Sequence, residues 1–322
     1  MFKYICQILP AKVMDAGVLP GRKHNNIVIR YVRHADIDYQ KWDACIASAV
    51  NRLPYAQSWY LDTATDAHWD AVVLDDYLAV MPVPYTARWI FRKAYQPFFT
   101  QQLGWFFADV THAAYLEDAV DMVARHWKLY KLHLNTQNHF PQALPHTLRI
   151  THHVDLHADY TTLRKQYGSQ TLRNLKRADA FALKVVSLND PDVLLQMRRK
   201  YLAHVIAESR QKETDTRRLG RIMQQALARG QGQLLAVQDA AQQIQAACFL
   251  LQDDHTLIYI SAVSSEEGKD MHAMTMLIDH IFQVHAGSGK CFDFEGSMVE
   301  GIARYYKNFG GVEKWFPVIS NA

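Results

Sequence analysis

The sequence FDFEGSMVEGIARYYKNFGG, from Phe292 to Gly311, combines closely spaced carboxylates with a pair of adjacent tyrosines. It opens with an apolar strand pattern in which Asp293 and Glu295 are separated by one residue, so both carboxylates should face the same side. A helix pattern follows, with two adjacent tyrosines and a lysine just before a Gly-Gly stop. We expect the carboxylates and the Tyr-Tyr-Lys run to form two walls of one cleft.

The two carboxylates are candidate catalytic groups. Like charges held close together raise the pKa of one of them, which suits a general base near neutral pH. Phe292 and Phe294 alternate with the carboxylates and are expected to face the core. The alternative is structural, because one carboxylate can cap the next helix or pair with Arg304. Both Glu295 and Asp293 are therefore catalytic candidates with a structural alternative.

The helix pattern after the carboxylates also allows two interpretations. A set of apolar side chains recurs at helical spacing along it, namely Ile302, Tyr305, Tyr306 and Phe309. One or both tyrosines are then core residues with a tethered hydroxyl. Lys307, which follows them, is either an exposed surface lysine or part of the site.

Outward from this stretch, the chain of 322 residues is long enough for two domains. We expect a loosely attached arm over residues 1–25, one domain over 26–150 and a second over 151–322. The first half mixes strand and helix patterns, and the second runs as three antiparallel strands, then helix, strand, helix and strand. Both domains are predicted to be α+β, with a mixed, mainly antiparallel sheet flanked by helices. Asp270 as N-cap and Gly287 as stop should bound the helix after the three strands.

Three segments of the chain resemble the FemABX group of the GNAT acyltransferase superfamily, whose members carry two GNAT-like domains in one chain. The first runs from Tyr55 to Pro84 and opens with YAQSWYLD, and the second, Ser169 to Val186, reads SQTLRNLKRADAFALKVV. The third is the opening stretch, which is similar to the family's aromatic-Asp-Phe strand end and aromatic-Lys-x-Phe-Gly helix stop. Together the three segments place most of residues 25–322 within the resemblance.

The resemblance implies transfer of an acyl or aminoacyl group to a small-molecule or peptide amine acceptor. No bound cofactor is expected, and the acyl donor would be a co-substrate, either aminoacyl-tRNA or acyl-CoA. The acyl-CoA enzymes hold the pyrophosphate in a glycine-rich loop, whereas this chain has SSEEGKDMHAM, with Glu266 and Glu267 where phosphates would approach. This departure counts against tight binding of CoA, although Lys269 remains available to a phosphate.

The resemblance also implies roles for residues of the last helix. GNAT enzymes often place a tyrosine on this helix to protonate the leaving group, which makes Tyr305 or Tyr306 the candidate. Lys307 matches a lysine of the family that meets the tRNA acceptor end or the developing negative charge.

Other segments supply candidate substrate-binding residues. In QPFFTQQLGWFF, Gln96, Gln101 and Gln102 lie among aromatic side chains, which suits either a binding cleft or a buried hydrogen-bonded network. Ser261 and Ser297 are further candidates. A basic run opens the second domain and is either a solvated helix face or a patch for tRNA phosphates. Its members are Arg164, Lys165, Arg173, Lys176, Arg177 and Lys184, of which Arg173 and Lys176 are the substrate-binding candidates.

Composition argues against several function classes. A net charge of +3 and a pI near 8.5 are too mild to predict general nucleic-acid binding, so tRNA is a candidate partner only through a local patch. The four cysteines form no CxxC pair, and His152, His153 and His157 lie in a strand pattern without HxxxH spacing, so no metal is expected. No apolar run approaches the ~18–20 residues of a membrane span, which predicts a cytoplasmic protein. The oligomeric state stays open.

Two other functions are compatible with the sequence. One is a conventional acyl-CoA-dependent N-acetyltransferase of the same fold. The other is a non-catalytic protein that keeps the fold and uses the cleft between its domains to bind a ligand or partner.

Overall fold

The structure is a computed structural model that describes residues 27–86, 92–139, 146–296 and 298–321. The predicted N-terminal arm and the candidate Ser297 lie outside these described residues. Within the described ranges the chain mixes strands and helices throughout, so the predicted α+β class is confirmed.

The first half forms a four-stranded antiparallel sheet, with the strands in the order β1 (Ile29–Val32), β2 (Trp69–Leu74), β3 (Ala79–Pro84) and β5 (Phe106–Phe107). Pro82 and Pro84 lie beyond the part of β3 that pairs with β5, so the absence of their N–H groups breaks no ladder bond on that side. The described elements of this half are β1 Ile29–Val32, α1 Tyr39–Ser48, α2 Ser58–Thr65, β2 Trp69–Leu74, β3 Ala79–Pro84, β4 Ala94–Tyr95, β5 Phe106–Phe107, α3 Leu116–His126 and β6 Tyr130–His133.

The second half follows the predicted order of strands and helices. The described elements are β7 His146–Asp155, α4 Tyr160–Arg164, α5 Ser169–Ala178, β8 Lys184–Leu188, α6 Pro191–Tyr201, α7 Ala203–Glu208, α8 Glu213–Ala228, β9 Gly232–Gln238, β10 Ile244–Gln252, β11 Thr256–Ser264, α9 Glu266–Asp270, α10 Ala273–His285, β12 Cys291–Asp293, α11 Glu300–Lys307 and β13 Val312–Ser320. The strands β9, β10 and β11 pair antiparallel, as their sequence order predicts.

A nine-stranded sheet joins the two halves, in the order β4-β6-β13-β7-β12-β11-β10-β9-β8. The strand β13 pairs with β6 of the first half on one side and with β7 on the other. The expected boundary between residues 150 and 151 falls inside β7. The division into two domains therefore stays a prediction, and hydrogen-bonded strands cross it.

The pairing of β11 with β12 ends early and opens a gap in this sheet. The last paired residues are Ile258 and Asp293, whereas β11 continues to Ser264. The chain leaves the sheet because Glu295 and Gly296 take left-handed backbone angles, with φ of 57° and 49°. A Cβ at Gly296 would lie 2.2 Å from the carbonyl oxygen of Ile150, so only glycine fits this turn.

Two hydrophobic cores lie on opposite faces of the sheet around this gap. One packs α6 and α8 against the sheet together with α1 and α2 of the first half. The other packs α5 and α10 against the opposite face and includes Phe292, Phe294 and Phe309. Phe292 and Phe294 are buried, as their alternation with the carboxylates predicts.

Two details of the helix boundaries differ from expectation. Asp270 is the last residue of α9, and α10 begins only after His272, whose φ of 56° breaks the helix between them. The prediction of Asp270 as an N-cap is therefore wrong, whereas Gly287 ends α10 as predicted, with a φ of 74°. Ile302 is 43% exposed and Ala303 takes its place on the buried side of α11.

Candidate active site

Glu295 is held by residues from both halves of the chain. Its backbone N–H donates to Asp293 Oδ1 at 2.8 Å, and its carbonyl oxygen accepts from Gln101 Nε2. Its carboxyl Oε1 accepts a hydrogen bond from the hydroxyl of Tyr55. Three contacts therefore fix both the backbone and the side chain of a residue in a left-handed turn.

The surroundings of Glu295 shift its pKa to a useful range. Burial raises the pKa of this carboxyl to about 8, the hydrogen bond from Tyr55 opposes the shift, and the charge of Asp293 adds to it. A carboxyl with this pKa gains and loses a proton near neutral pH. This is the property that a general base needs.

Asp293 is shifted in the opposite direction. Burial alone would raise its pKa, but the charge and hydrogen bonding of His153, with Oδ2 and Nε2 3.3 Å apart, lower it below its usual value. The Thr151 hydroxyl and the Glu295 N–H donate to Oδ1 and lower it further. Asp293 is 2% exposed, so it acts as an ionised support for the turn. Neither predicted structural role is found, because α11 has Val299 as its N-cap and Arg304 pairs with Glu300 at 2.7 Å.

Glu295 opens into a cleft of about 730 Å³, called here the Glu295 cleft. Besides Glu295 and Gly296, its wall includes the segment from Lys93 to Gln101 and residues from the strands that follow. The basic side chains on this wall are Lys93, Lys131 and Arg149. The cleft therefore presents positive charge around a single carboxyl of raised pKa, which favours a ligand with negative charge.

The three glutamines divide between lining the cleft and supporting it. Gln96 and Gln101 both line the cleft. Gln96 Nε2 donates to the Thr100 carbonyl at 2.7 Å, and Gln102 Nε2 donates to Gln101 Oε1 at 2.8 Å. Gln102 is buried, so it orients Gln101, which in turn binds the carbonyl of Glu295.

The two tyrosines of α11 lie on the other face of the sheet from Asp293. Tyr306 stacks on Phe294 with ring centroids 4.2 Å apart, and Phe294 belongs to the core opposite Tyr55. Tyr305 lies 3.2 Å from the Thr275 hydroxyl. The expectation of two walls of one cleft is therefore wrong in detail, because the carboxylates and the phenols approach the β11–β12 gap from opposite faces.

Burial raises the pKa of both tyrosines, so both are protonated at neutral pH. The negative charges of Glu295 and Asp293 also raise the pKa of Tyr306. Tyr305 is instead influenced by its hydrogen bond with Thr275. Of the two phenols, Tyr306 is thus the one whose pKa is affected by the carboxylates across the gap.

The remaining candidates lie at the edges of the site. Lys307 Nζ pairs with Glu313 Oε1 at 2.7 Å, and its side chain is half exposed on α11. Ser261 is buried and accepts a hydrogen bond from Arg198 at 2.8 Å. Arg173 and Lys176 are exposed on α5.

The exposed basic helix α5 lies next to the end of α11. The N–H of Gly168 and the hydroxyl of Thr171 both donate to the carbonyl of Asn308, each at 2.9 Å. Within the described residues, no carboxylate lies within ion-pair distance of Arg173 or Lys176. The basic patch and Lys307 therefore belong to the face of the sheet that carries the tyrosines.

Gly268 lies in α9, just before α10, and its lack of a side chain allows close packing. A Cβ at Gly268 would lie 2.0 Å from the Gln245 carbonyl oxygen, so this glycine lets α9 approach β10. Its N–H donates to the hydroxyl of Ser265 at 2.8 Å and is not free for a phosphate. Lys269 pairs with Glu266 at 2.6 Å.

Comparison with known proteins relates one segment of the sequence to a family and the whole chain to known folds. Residues 164–308 match the sequence model of a family described as acetyltransferase (GNAT) domain. The matched segment is just under half of the chain and runs from α4 to the end of α11. The solved structure of FemX has the same fold as the chain, with a TM-score of 0.62 at 10% identity over 89% of this chain and 96% of FemX. No curated protein matches the sequence.

Two further structures share the fold. The C-terminal domain of a putative lysylphosphatidylglycerol synthetase from Agrobacterium fabrum matches with a TM-score of 0.51 at 9% identity, over 90% of this chain and 93% of that domain. The structure of L-PGS from Bacillus licheniformis matches with a TM-score of 0.51 at 11% identity, over 87% of this chain and 91% of that one. The predicted resemblance to FemABX-type GNAT proteins is confirmed at the level of the fold.

The three histidines of β7 and of the turn that follows it have different surroundings. His153 faces Asp293, whereas His152 lies on the opposite side of β7 against Tyr306, with ring centroids 5.8 Å apart. His157 follows in a turn, where its N–H donates to Asp155. Among the described residues, no group of three His, Cys, Asp or Glu side chains is placed to hold a metal ion. No helix in the described ranges combines the length and apolar character of a membrane span.

Sequence patterns missed several residues that shape this site. Tyr55 lies in a segment that marked the family resemblance, but nothing in its spacing pointed to Glu295. Thr151 and His153 sit two residues apart on β7 and face Asp293, a strand alternation that was visible in the sequence. Arg198 sits on α6 within a run of basic residues, and burial alone distinguishes it.

Proposed function

We propose that this chain transfers an acyl or aminoacyl group to an amine acceptor, with Glu295 as the general base. The observation that carries the proposal is a carboxyl with a pKa raised to about 8, fixed by Tyr55 and Gln101 at the mouth of a cleft. A protonated amine must lose a proton before it attacks a carbonyl carbon, and a carboxylate of this basicity accepts it near neutral pH.

The two faces of the gap separate the acceptor from the donor. The acceptor amine enters through the Glu295 cleft, and the acyl donor approaches from the face that carries α5 and α11. Glu295 takes one proton from the ammonium group, and the neutral nitrogen then forms a bond to the carbonyl carbon. The bond to the leaving oxygen or sulfur breaks, and the second nitrogen proton replaces, by way of solvent, the proton that a tyrosine gives to the leaving group. Tyr306 donates its hydroxyl proton to the leaving group, because burial keeps this phenol protonated at neutral pH and its hydroxyl makes no hydrogen bond among the described residues.

Aminoacyl-tRNA is the preferred donor in this proposal. The exposed basic side chains of α5 can contact a polyanion, and Lys307 stands at the adjacent end of α11. Gly268 is used for packing, and the acidic residues around it disfavour a pyrophosphate. Acyl-CoA is the alternative donor, and a non-catalytic binding protein is the alternative function.

The donor is tested first by thermal shift with uncharged tRNA, aminoacyl-tRNA and acetyl-CoA, each against the wild-type chain. We expect stabilisation by tRNA and none by acetyl-CoA. A response to acetyl-CoA alone would favour the N-acetyltransferase alternative. A response to none of the three would favour the non-catalytic alternative.

The role of Glu295 is then tested with the donor that binds and a mixture of amino acids and peptides as acceptors. Transfer of a radiolabelled acyl group is compared in wild type, E295Q and the exposed control E300Q. We expect E295Q to lower the rate by about 10²–10⁴-fold and E300Q to leave it unchanged, because a general base contributes that factor. Equal rates in wild type and E295Q would remove Glu295 from the mechanism.

A further inference from the structure

Arg198 is a buried cation without a carboxylate partner. It is 8% exposed on α6. Its guanidinium donates to the Ser261 hydroxyl at 2.8 Å and to Gln211 Oε1 at 3.3 Å. Within the described residues, no carboxylate oxygen lies within 4.0 Å of it. Two neutral oxygens use two of its five N–H donors.

A buried charge without a partner of opposite charge destabilises the folded protein. Moving a charged group from water into a protein interior costs on the order of several kcal/mol of hydration free energy, and an unpaired charge recovers none of it from a partner. Buried arginines are accordingly found with carboxylate or phosphate partners. The missing partner of Arg198 is thus the feature to explain, and an anionic ligand would supply it.

The position of Arg198 places such a ligand near Glu295. Arg198 donates to Ser261 of β11, which lies three residues beyond Ile258, the last residue paired with β12. Glu295 and Gly296 follow Asp293, the partner of Ile258, so Ser261 and the Glu295 turn border the same gap from its two sides.

The contacts of Phe99 link the two positions. Its ring lies 5.4 Å from the guanidinium carbon of Arg198, and Phe99 also lines the Glu295 cleft. Its backbone has a φ of 61°, which is rare for a bulky residue, and its carbonyl accepts from the Tyr60 hydroxyl. The rings of Tyr60 and Tyr55 are 5.5 Å apart, and Tyr55 contacts Glu295. One packed set of aromatic residues therefore borders both the cation and the carboxyl.

We infer that Arg198 binds an anionic group, a carboxylate or a phosphate, on the amine acceptor. The acceptor would place its amine at Glu295 and its anion at Arg198, so the chain would select amines that carry a nearby negative charge. The identity of this ligand as the acceptor rests on the proposed function. The anion site itself is independent of any transfer, since binding is measurable without it.

The test measures binding of three small amines by isothermal titration at constant ionic strength. Diglycine carries a carboxylate, diglycinamide has the same amine without it, and O-phosphoethanolamine carries a phosphate. We expect wild type to bind one of the two anionic amines at least about tenfold more tightly than the amide, the factor that one charge-assisted hydrogen-bonded pair provides. Which of the two binds more tightly identifies the anion.

Three variants complete the test. R198M should fold with an unchanged or higher melting temperature, because it removes an unpaired buried charge, and it should lose the preference for the anion. R198K keeps a charge without the two-pronged donor and should retain less of the preference than wild type. E295Q should keep the full preference while losing transfer, so failure of the proposed reaction leaves the anion site standing.

The inference is overturned by any of three results. Wild type that shows no preference, or binds none of the three amines, has no anion site of this kind. A preference that persists unchanged in R198M or R198K assigns the anion to other side chains. A melting temperature of R198M several degrees below wild type, without loss of the preference, assigns Arg198 to structure.

Discussion

The turn that follows β12 and the helix α11 are neighbours in sequence but are stabilised in different ways. In the turn, Glu295 and Asp293 are held by hydrogen bonds from Tyr55, Gln101 and Thr151. In α11, the inward side chains pack on aromatic rings, and the charged ones form exposed pairs such as Arg304 with Glu300.

The buried polar contacts are therefore concentrated in the turn, and apolar packing dominates in α11. Buried polar groups are tolerated only when they are hydrogen-bonded, and two of the three contacts that hold Glu295 come from distant parts of the chain. The helix obtains its position from apolar packing, which is insensitive to pH. We therefore expect changes of charge or pH to act strongly on the turn and weakly on α11.

The largest expected effect is a dependence of stability on pH that originates at Glu295. Its pKa is raised from 4.5 to about 8, so the folded state retains a proton that the unfolded state releases in this range. The stabilisation is fully present below about pH 4.5 and is lost as the pH rises through about 8. The unfolding free energy of wild type relative to E295Q should fall by up to about 1.4 kcal/mol per pH unit between these limits. Urea unfolding of both proteins at four pH values measures it.

A flat difference between wild type and E295Q across this range would contradict the raised pKa. Glu300 supplies the matched control, because it is an exposed glutamate on α11. The difference between wild type and E300Q should not change with pH in the same range.

The next effect is the loss of the support that Asp293 gives to the turn. D293A removes the acceptor for Thr151 and for the Glu295 N–H and leaves His153 without its partner. We expect a loss of about 3 kcal/mol in unfolding free energy, as for other broken buried pairs. E300A on α11 should cost no more than about 0.5 kcal/mol. A similar cost for both substitutions would mean that the turn and the helix do not differ.

A smaller effect concerns the direction in which neighbours shift the pKa of Glu295. The hydrogen bond from Tyr55 lowers this pKa and the charge of Asp293 raises it. Y55F should therefore move the titration of Glu295 to higher pH, and D293N should move it to lower pH. Infrared difference spectra of the carboxyl band, with E295Q as the blank, measure both shifts. Shifts of the same sign in the two variants would refute this account of the turn.

The smallest effect separates the two tyrosines of α11. Y305F loses the contact with Thr275 and should cost about 1 kcal/mol of stability. Y306F removes a hydroxyl without such a contact among the described residues, so its stability should stay within about 0.5 kcal/mol of wild type while transfer slows. Slower transfer in Y305F alone would assign the leaving-group proton to Tyr305.

Strand alternation and helix period predicted much of the fold and part of the site. The order of elements from β9 to β13 followed from the patterns, and the alternation around Phe292 and Phe294 correctly placed both rings in the core. The same alternation implies that a helix packed on Phe294 faces away from Asp293. Sequence proximity nevertheless favoured one cleft for carboxylates and phenols, and that expectation was wrong.

The contacts to Glu295 could not be predicted from the sequence. Tyr55 is 240 residues away and Gln101 is 194 residues away, so no local period connects them to the turn. The opposite pKa shifts of Asp293 and Glu295 depend on these partners and on burial, which a sequence pattern does not specify. The spacing of the two carboxylates predicted that the pKa of one of them would be raised. It did not show how the other carboxyl is kept ionised.

The position of β13 between β6 and β7 has a consequence for synthesis of the chain. The nine-stranded sheet becomes continuous only when Val312–Ser320 enters between strands made much earlier. During synthesis on the ribosome, β6 and β7 keep unpaired edges until β13 has emerged. Unpaired strand edges are sites where other chains can pair. We therefore expect the sheet to close late in folding, after the turn that carries Glu295 has been synthesised.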